Sequence, residues 1–169
     1  LDDAYRSAED FKKKTGAYMV HPFANENVIA GQGTIGLELL EQIPDLSTVI
    51  VPVGGGGMIS GIAMAIKASK PNASIIGVQS TAFPAMKASF EAGQIVEMKK
   101  GRTIADGIAV KAVNQLNFSL VKNYVDAMVA VDDDEIAAAV MDLIERNHLL
   151  AEGAGAAGVA AIDKALACG

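Results

Sequence analysis

The chain has 169 residues, 51% of them hydrophobic and 20% charged, with a net charge of −6. That is one domain's length with apolar content enough for a packed core, and its acidic balance excludes sequence-independent binding to nucleic acid or to an anionic membrane. Residues 1–15 carry no apolar leader, no apolar run reaches about 18 residues, and Cys168 is the sole cysteine, which together predict a cytoplasmic protein without an internal disulfide.

Asp2 to Lys14 is predicted helical, because Tyr5, Ala8 and Phe11 recur at helical spacing and Gly16 can cap the end. Ala17 to Val20 is a short strand candidate running into His21-Pro22. Val28 to Ile43 forms a second predicted helix, with Ile29, Gly33, Gly36, Leu40 and Ile43 on one face. Small residues in that seam predict close packing against a sheet, and Pro44 ends the helix. Thr48 to Val53 is a continuous apolar run, the pattern of a parallel strand buried on both faces. Four glycines follow it, and a helix-compatible segment runs from Ile59 to Ser69. Ser74 to Val78 is the next buried strand. Ala82 to Glu91 reads as a helix with Pro84 in its first turn, stopped by Gly93.

Residues 94–113 read as irregular, Lys99 and Lys100 among them. Gln115 to Asn123 is predicted helical and Ala127 to Val131 a strand. Asp132 then opens a helix through a capping box with Glu135. Its apolar stripe is Ile136, Ala139, Val140, Leu143 and Ile144. Gly153 to Leu166 is a helix rich in Ala and Gly, with Ala154, Ala157, Ala161 and Ile162 on one face. Strands alternating with helices predict an α/β fold with a mainly parallel sheet. The chain starts without methionine and stops in Ala165-Leu166-Ala167-Cys168-Gly169. Residues 1–169 are therefore expected to be a portion of a longer catalytic unit.

The most informative stretch is Gly54-Gly55-Gly56-Gly57-Met58, between a strand and a helix. A helix start presents backbone N–H groups and the positive end of the dipole. Glycine allows positive φ and close approach of a ligand. The combination predicts an anion seat, most simply for a phosphate. A nucleoside-triphosphate loop requires Gly-Lys-Ser/Thr, and Gly57 is followed here by Met58-Ile59. A dinucleotide site requires an acid at the end of the next strand, where Gln79 and Ser80 stand. A single compact phosphate ester needs only converging N–H groups, and a tight turn without ligand is the bland alternative.

Other residues have simpler roles. His21 precedes a proline at a strand end and reads as structural. His148 sits at a helix C-terminus, where it complements the dipole. Asp132, Asp133 and Asp134 are an N-cap and first-turn acids before they are a metal cluster. Met58, Met64 and Met86 read as packing residues, the backbone of Met58 serving the loop.

Val51-Pro52-Val53-Gly54-Gly55-Gly56-Gly57-Met58-Ile59-Ser60-Gly61 resembles the phosphate loop of the fold type II pyridoxal-phosphate enzymes, the threonine dehydratase and serine racemase group. Three more segments resemble that family in the same order. They are His21-Pro22-Phe23 with Val28-Ile29-Ala30-Gly31-Gln32-Gly33-Thr34, then Thr103-Ile104-Ala105-Asp106-Gly107, then Glu152-Gly153-Ala154-Gly155-Ala156. The resemblance covers essentially the whole chain. It implies the larger cofactor-binding domain of the tryptophan synthase β-like architecture, a three-layer α/β domain on a parallel sheet, here incomplete. It also implies pyridoxal 5'-phosphate held as a Schiff base, which withdraws electrons from Cα. The implied activity is a threonine or serine dehydratase, an ammonia-lyase giving a 2-oxo acid and ammonia. By the same resemblance Gly54, Gly55, Gly56, Gly57 and Met58 bind the cofactor phosphate, Gly107 lines the cofactor face, and Glu152 lies near the ring. For Glu152 an acid at a helix N-terminus is an equally good reading.

Gln79 and Ala85 stand where the racemases of the group carry acidic metal ligands, so no metal site is expected. Gly107-Ile108-Ala109-Val110-Lys111 likewise resembles the dehydratases, with serine racemase the alternative. No lysine here has the Ser-Phe-Lys context of the family's Schiff-base lysine, and the late Ser-Gly-Gly-Asn strand is missing. The 169 residues alone are therefore expected to be inactive, with no catalytic residue among them. Expected partners are an amino-acid substrate, the remainder of the catalytic unit and further copies in a homo-oligomer. A reading from a different class is a non-catalytic module that binds phosphate or another protein.

Overall fold

Thr48–Pro52, Ser74–Ser80 and Ala127–Val131 are the strands β1, β2 and β3 of one parallel sheet, in that spatial order. These elements come from a computed structural model that describes residues 2–98 and 101–168. Lys99 and Lys100, expected in the irregular stretch, lie outside the described residues. The register places Val51 beside Gly77 and Gly77 beside Met128. Gly77 is needed there, since a Cβ would stand 3.0 Å from the ends of both Met128 and Ile59.

Successive strand residues enter opposite cores, as expected of a sheet covered on both sides. Val51, Val53 and Ile75 pack with Ile59, Ile62, Ile66, Met86 and Val121 on one face. Ile76, Val78, Val129 and Val131 pack with Ile136, Ala154, Ala157 and Ala161 on the other. The helices that cover the first face include α3 (Gly57–Ser69), α4 (Ala85–Ala92) and α5 (Gln115–Tyr124). The second face is covered by α6 (Asp133–Asn147), α7 (Gly153–Ala160) and α8 (Ile162–Leu166). The result is the α/β fold on a parallel sheet read from the strand–helix alternation, in the three layers that the family resemblance implies. Between α4 and α5 the chain forms a 3₁₀ turn at Asp106–Ile108.

Two helices precede the sheet, α1 (Asp2–Thr15) and α2 (Glu26–Gln42). The glycine seam of α2 corrects the expectation that it packs on the sheet, because its neighbour is α3. A Cβ on Gly36 would lie 2.9 Å from the Ile62 carbonyl oxygen, and one on Gly33 would lie 3.3 Å from that of Gly61. From the other side, a Cβ on Gly61 would lie 2.7 Å from the Gly33 nitrogen and against the Ile29 carbonyl. Helix α1 leaves its apolar side open, with Tyr5 and Phe11 exposed.

Four further expectations are corrected. Ala17–Val20 forms no strand; Tyr18 and Val20 point into solvent at 79% and 57% exposure, with no sheet edge beside them. The helix expected from Ala82 begins at Ala85, with Pro84 as its N-cap, since a residue before proline is driven out of the helical region. The predicted Gly153–Leu166 helix divides at Ala161, which buries Ala161 and Ala165 while Ile162 turns outward. Of the three packing methionines, Met86 is fully buried but Met64 is 39% exposed. The capping box at Asp132 and Glu135 forms with both of its hydrogen bonds.

The α2–α3 contact gives a paired test. Gly61→Ala in the complete protein is expected to cost about 1–3 kcal/mol. Gly31→Ala, on the same pair of helices but with nothing within 4 Å of the added carbon, is expected to stabilise by about 0.4–1 kcal/mol. Urea denaturation of the two variants reads both signs.

Candidate functional site

The strand-to-loop transition is fixed first. Val53 donates its N–H to the Val78 carbonyl, so β1 delivers the chain to Gly54 in register with β2. Gly56 then takes a left-handed conformation, φ 89° and ψ 0°, and serves as the N-cap of α3. Only this member of the tetraglycine needs positive φ. The other two buried glycines are required by neighbours. A Cβ on Gly55 would lie 2.6 Å from Cγ of the Phe23 ring, and one on Gly57 would lie 2.8 Å from the Phe23 carbonyl oxygen. At Gly56 the added carbon would stand 2.5 Å from Cε of Met86.

Phe23 reaches the loop because its own turn is tied down. His21 Nδ1 accepts hydrogen bonds from the backbone N–H groups of Phe23 and Ala24, at 3.3 and 2.9 Å. The imidazole packs edge-on to the Phe23 ring, centroids 4.6 Å apart. Asn25 then caps α2 through its side chain. His21 is thus the acceptor at the centre of a turn, in keeping with a structural role.

The N–H groups of Gly54 to Ile59 donate to no acceptor among the described residues. They border a cavity of about 500 Å³ whose wall includes Phe23, Gln32, Gly54 to Ile59 and the segment Asp106 to Val110. Among its described lining residues Asp106 is the one charged side chain, and neither lysine nor arginine contributes. A second space of about 570 Å³ lies between α2, α3 and α5. Its walls are Ile29, Leu37, Met64, Leu116 and Leu120, with Glu26 at the rim, which gives a phosphate nothing to bind.

The two later sequence segments meet at the same cavity. Gly107 lies within 3.5 Å of where a Gly54 Cβ would be, through its carbonyl oxygen. A Cβ on Gly107 would stand 3.0 Å from Ala154 and 3.3 Å from Glu152 Oε1. Gly153 in turn packs on the Ile104 carbonyl. The structure therefore joins Gly54, Gly107 and Glu152, although Glu152 does not itself line the cavity. Glu152 is also the N-cap of α7, without a side-chain cap bond.

Several residues that matter here gave no strong signal in the sequence. Asp133 accepts from Thr103 Oγ1 at 2.6 Å and from the Ile104 N–H at 3.2 Å, fastening the Thr103–Gly107 segment to α6. Gln79 is fully buried; its Nε2 donates to the Val53 carbonyl at 3.0 Å, and its Oε1 accepts from the Lys87 N–H at 2.8 Å. Both ends of that carboxamide are used within the protein. Asn117 donates to the carbonyls of Phe23 and Gly55 at 2.9 and 2.6 Å. Among the described residues no group of three or more His, Cys, Asp or Glu side chains is placed to hold a metal ion. No helix there is long and apolar enough to cross a membrane.

The family model described as pyridoxal-phosphate dependent enzyme matches residues 1–169. The chain belongs to the pyridoxal-phosphate dependent enzymes. It is 53% identical over 162 residues to the L-threonine ammonia-lyase of Thermotoga maritima, covering 96% of this chain and 40% of that protein. It is 46% identical over 154 residues to an L-threonine dehydratase catabolic TdcB of Staphylococcus aureus, covering 91% of this chain and 44% of that protein. Among solved structures it is similar to a T.th. threonine deaminase, with TM-score 0.89 and 36% identity over 94% of this chain and 60% of that one. Maize serine racemase gives TM-score 0.90 and 37% identity over 93% of this chain and 47% of that one. The chain thus spans less than half the length of these curated relatives, and its fold is that of the fold type II members of this pyridoxal-phosphate family.

In this pyridoxal-phosphate family member, the contact between Phe23 and Gly55 is open to a double-mutant cycle. Gly55→Ala alone is expected to destabilise the complete protein, and much less so in a Phe23→Ala background. A coupling of about 0.5–3 kcal/mol in urea denaturation is the expected result for groups in direct contact. Additive effects would separate the two residues.

Proposed function

We propose that the complete protein is a pyridoxal-phosphate-dependent L-threonine or L-serine ammonia-lyase, releasing a 2-oxo acid and ammonia. The observation that carries this reading is the 53% identity, over 162 residues, to an L-threonine ammonia-lyase. Family membership supplies the cofactor class, and the loop supplies a place for its phosphate. The backbone N–H groups of Gly54, Gly55, Gly56, Gly57 and Met58 would hold that phosphate, at the start of α3 where the helix dipole favours an anion. Gly107, which lines the same cavity beside the loop, would face the cofactor ring. Glu152, beside Gly107, would border the ring from the same direction.

Bound pyridoxal phosphate supplies an electron sink that makes the Cα proton of an amino acid removable. This chain's part is to bind and orient the cofactor. None of the described residues lining the cavity is a lysine, so the lysine that carries the cofactor would come from another segment of the complete protein. Residues 1–169 would then be part of its larger cofactor-binding domain, without turnover of their own. The substrate is an amino acid, and assembly into a homo-oligomer in the cytoplasm fits this reading.

Serine racemase is the second reading, favoured by the maize structure's TM-score of 0.90. Against it, both ends of the Gln79 carboxamide are engaged by the backbone, and a divalent cation prefers carboxylate oxygens. The complete protein, purified with its cofactor absorbing in the visible range, is expected to form 2-oxobutanoate from L-threonine at a rate unaffected by a chelator. D-serine as the main product from L-serine, at a rate lost with the chelator and restored by magnesium, would establish the racemase instead. A protein that takes up no pyridoxal phosphate would leave the non-catalytic module.

A further inference from the structure

The described buried polar side chains are few, and they are concentrated behind one loop. Ser60, Gln79, Ser80, Ser89 and Asn117 are the buried polar residues, and three of them spend their donors on the carbonyl oxygens of the phosphate loop. Gln79 Nε2 binds the Val53 oxygen. Asn117 Nδ2 binds the Gly55 oxygen. Ser60 Oγ binds the Gly56 oxygen at 2.6 Å, and the Ser60 N–H reaches the same atom at 3.1 Å. The three donors come from β2, α5 and α3, so the loop is held from three elements.

A trans peptide is planar, with its C=O and N–H pointing in opposite directions, and every peptide bond here is trans among the described residues. A bond that fixes one carbonyl therefore also fixes the next residue's N–H. Gln79, through Val53, sets the N–H of Gly54. Asn117, through Gly55, sets that of Gly56. Ser60, through Gly56, sets that of Gly57. Each of these N–H groups is turned away from the buried donor, and each belongs to a residue that borders the cavity. Glycine has no side chain to hold such a path, and a free tetraglycine would spend most of its time elsewhere.

Asn117 Oδ1 is buried and has no partner among the described residues. The same amide group holds the Phe23 carbonyl, so one side chain secures both the loop and the ring that covers Gly55.

We infer that Gln79 and Asn117, with Ser60, are positioning residues that preorganise the loop's N–H groups for the phosphate of the cofactor. This rests on the reading of the loop as the phosphate seat. It assigns the loop's grip to buried carboxamides outside the glycine motif.

The test compares pyridoxal phosphate with pyridoxal, which has the same ring and aldehyde without the phosphate. Apo forms of the complete protein are titrated with each, and the ratio of the two dissociation constants is read from cofactor absorbance. Gln79→Met and Asn117→Leu each remove the donor to one carbonyl. Either is expected to reduce the preference for pyridoxal phosphate about tenfold, the scale of one lost hydrogen bond, with pyridoxal binding nearly unchanged. Ser89→Ala is the control, because it removes a buried hydroxyl bonded to Ala85 and Val96. Since neither of those partners is a loop carbonyl, it is expected to lower the melting temperature and leave the ratio alone. If Asn117→Leu does not fold, Gln79→Met decides the matter. A wild-type protein without preference for the phosphorylated form overturns the phosphate-seat reading and this inference with it. A wild-type preference that survives in the carboxamide variants, or that falls as much in Ser89→Ala, overturns the inference alone.

Discussion

Helices α2 and α3 meet backbone to backbone, and the site is assembled around that approach. Gly33 and Gly36 on one helix face Gly61 and Ile62 on the other at distances that exclude a methyl group. The benefit of such a contact lies in dispersion between closely packed atoms and in the exclusion of water. Its structural effect is positional. Helix α2 starts at Glu26, immediately after the His21–Asn25 turn. Bringing α2 against α3 therefore brings Phe23 against the loop from which α3 begins. A wider helix separation would lift the ring from Gly55, and the cavity wall with it.

The parallel sheet was legible because its strands are buried on both faces. Thr48–Pro52, Ser74–Ser80 and Ala127–Val131 are runs of apolar residues with little alternation, and the helix after the third strand was marked by a cap that acts locally. Asp132 with Glu135 is that signal, complete within four residues. What could not be read was the partner of each face. The small-residue seam of α2 announces that something comes close, yet spacing alone cannot distinguish a sheet from another helix. Ala17–Val20 failed for the converse reason: Tyr18 and Val20 have strand propensity but no neighbouring strand to pair with.

The loop shows the same division. Four adjacent glycines signal an unusual backbone, and positive φ at Gly56 meets that expectation. The reason for Gly55 and Gly57 lies some thirty residues upstream, in a phenylalanine whose identity as a neighbour is a tertiary fact. In the sequence Gln79 stands out as a missing carboxylate. In the fold it is a tether with both of its polar ends occupied. Asn117 carries no signal in the sequence, because a capped first turn of a helix is an ordinary setting for asparagine.

The lining of the cavity has one more consequence. An anion held by lysine or arginine gains attraction from a full charge that salt screens and that a distant acid can neutralise. Here the described donors are peptide groups at a helix start, with Asp106 the one charged residue among those described in the cavity lining. Peptide groups do not titrate. For a phosphate ester seated on this loop, the protonation that matters is the ester's own second ionisation, near about pH 6. The chain's contribution to the grip is set once, by folding, and stays constant while the ligand changes its charge.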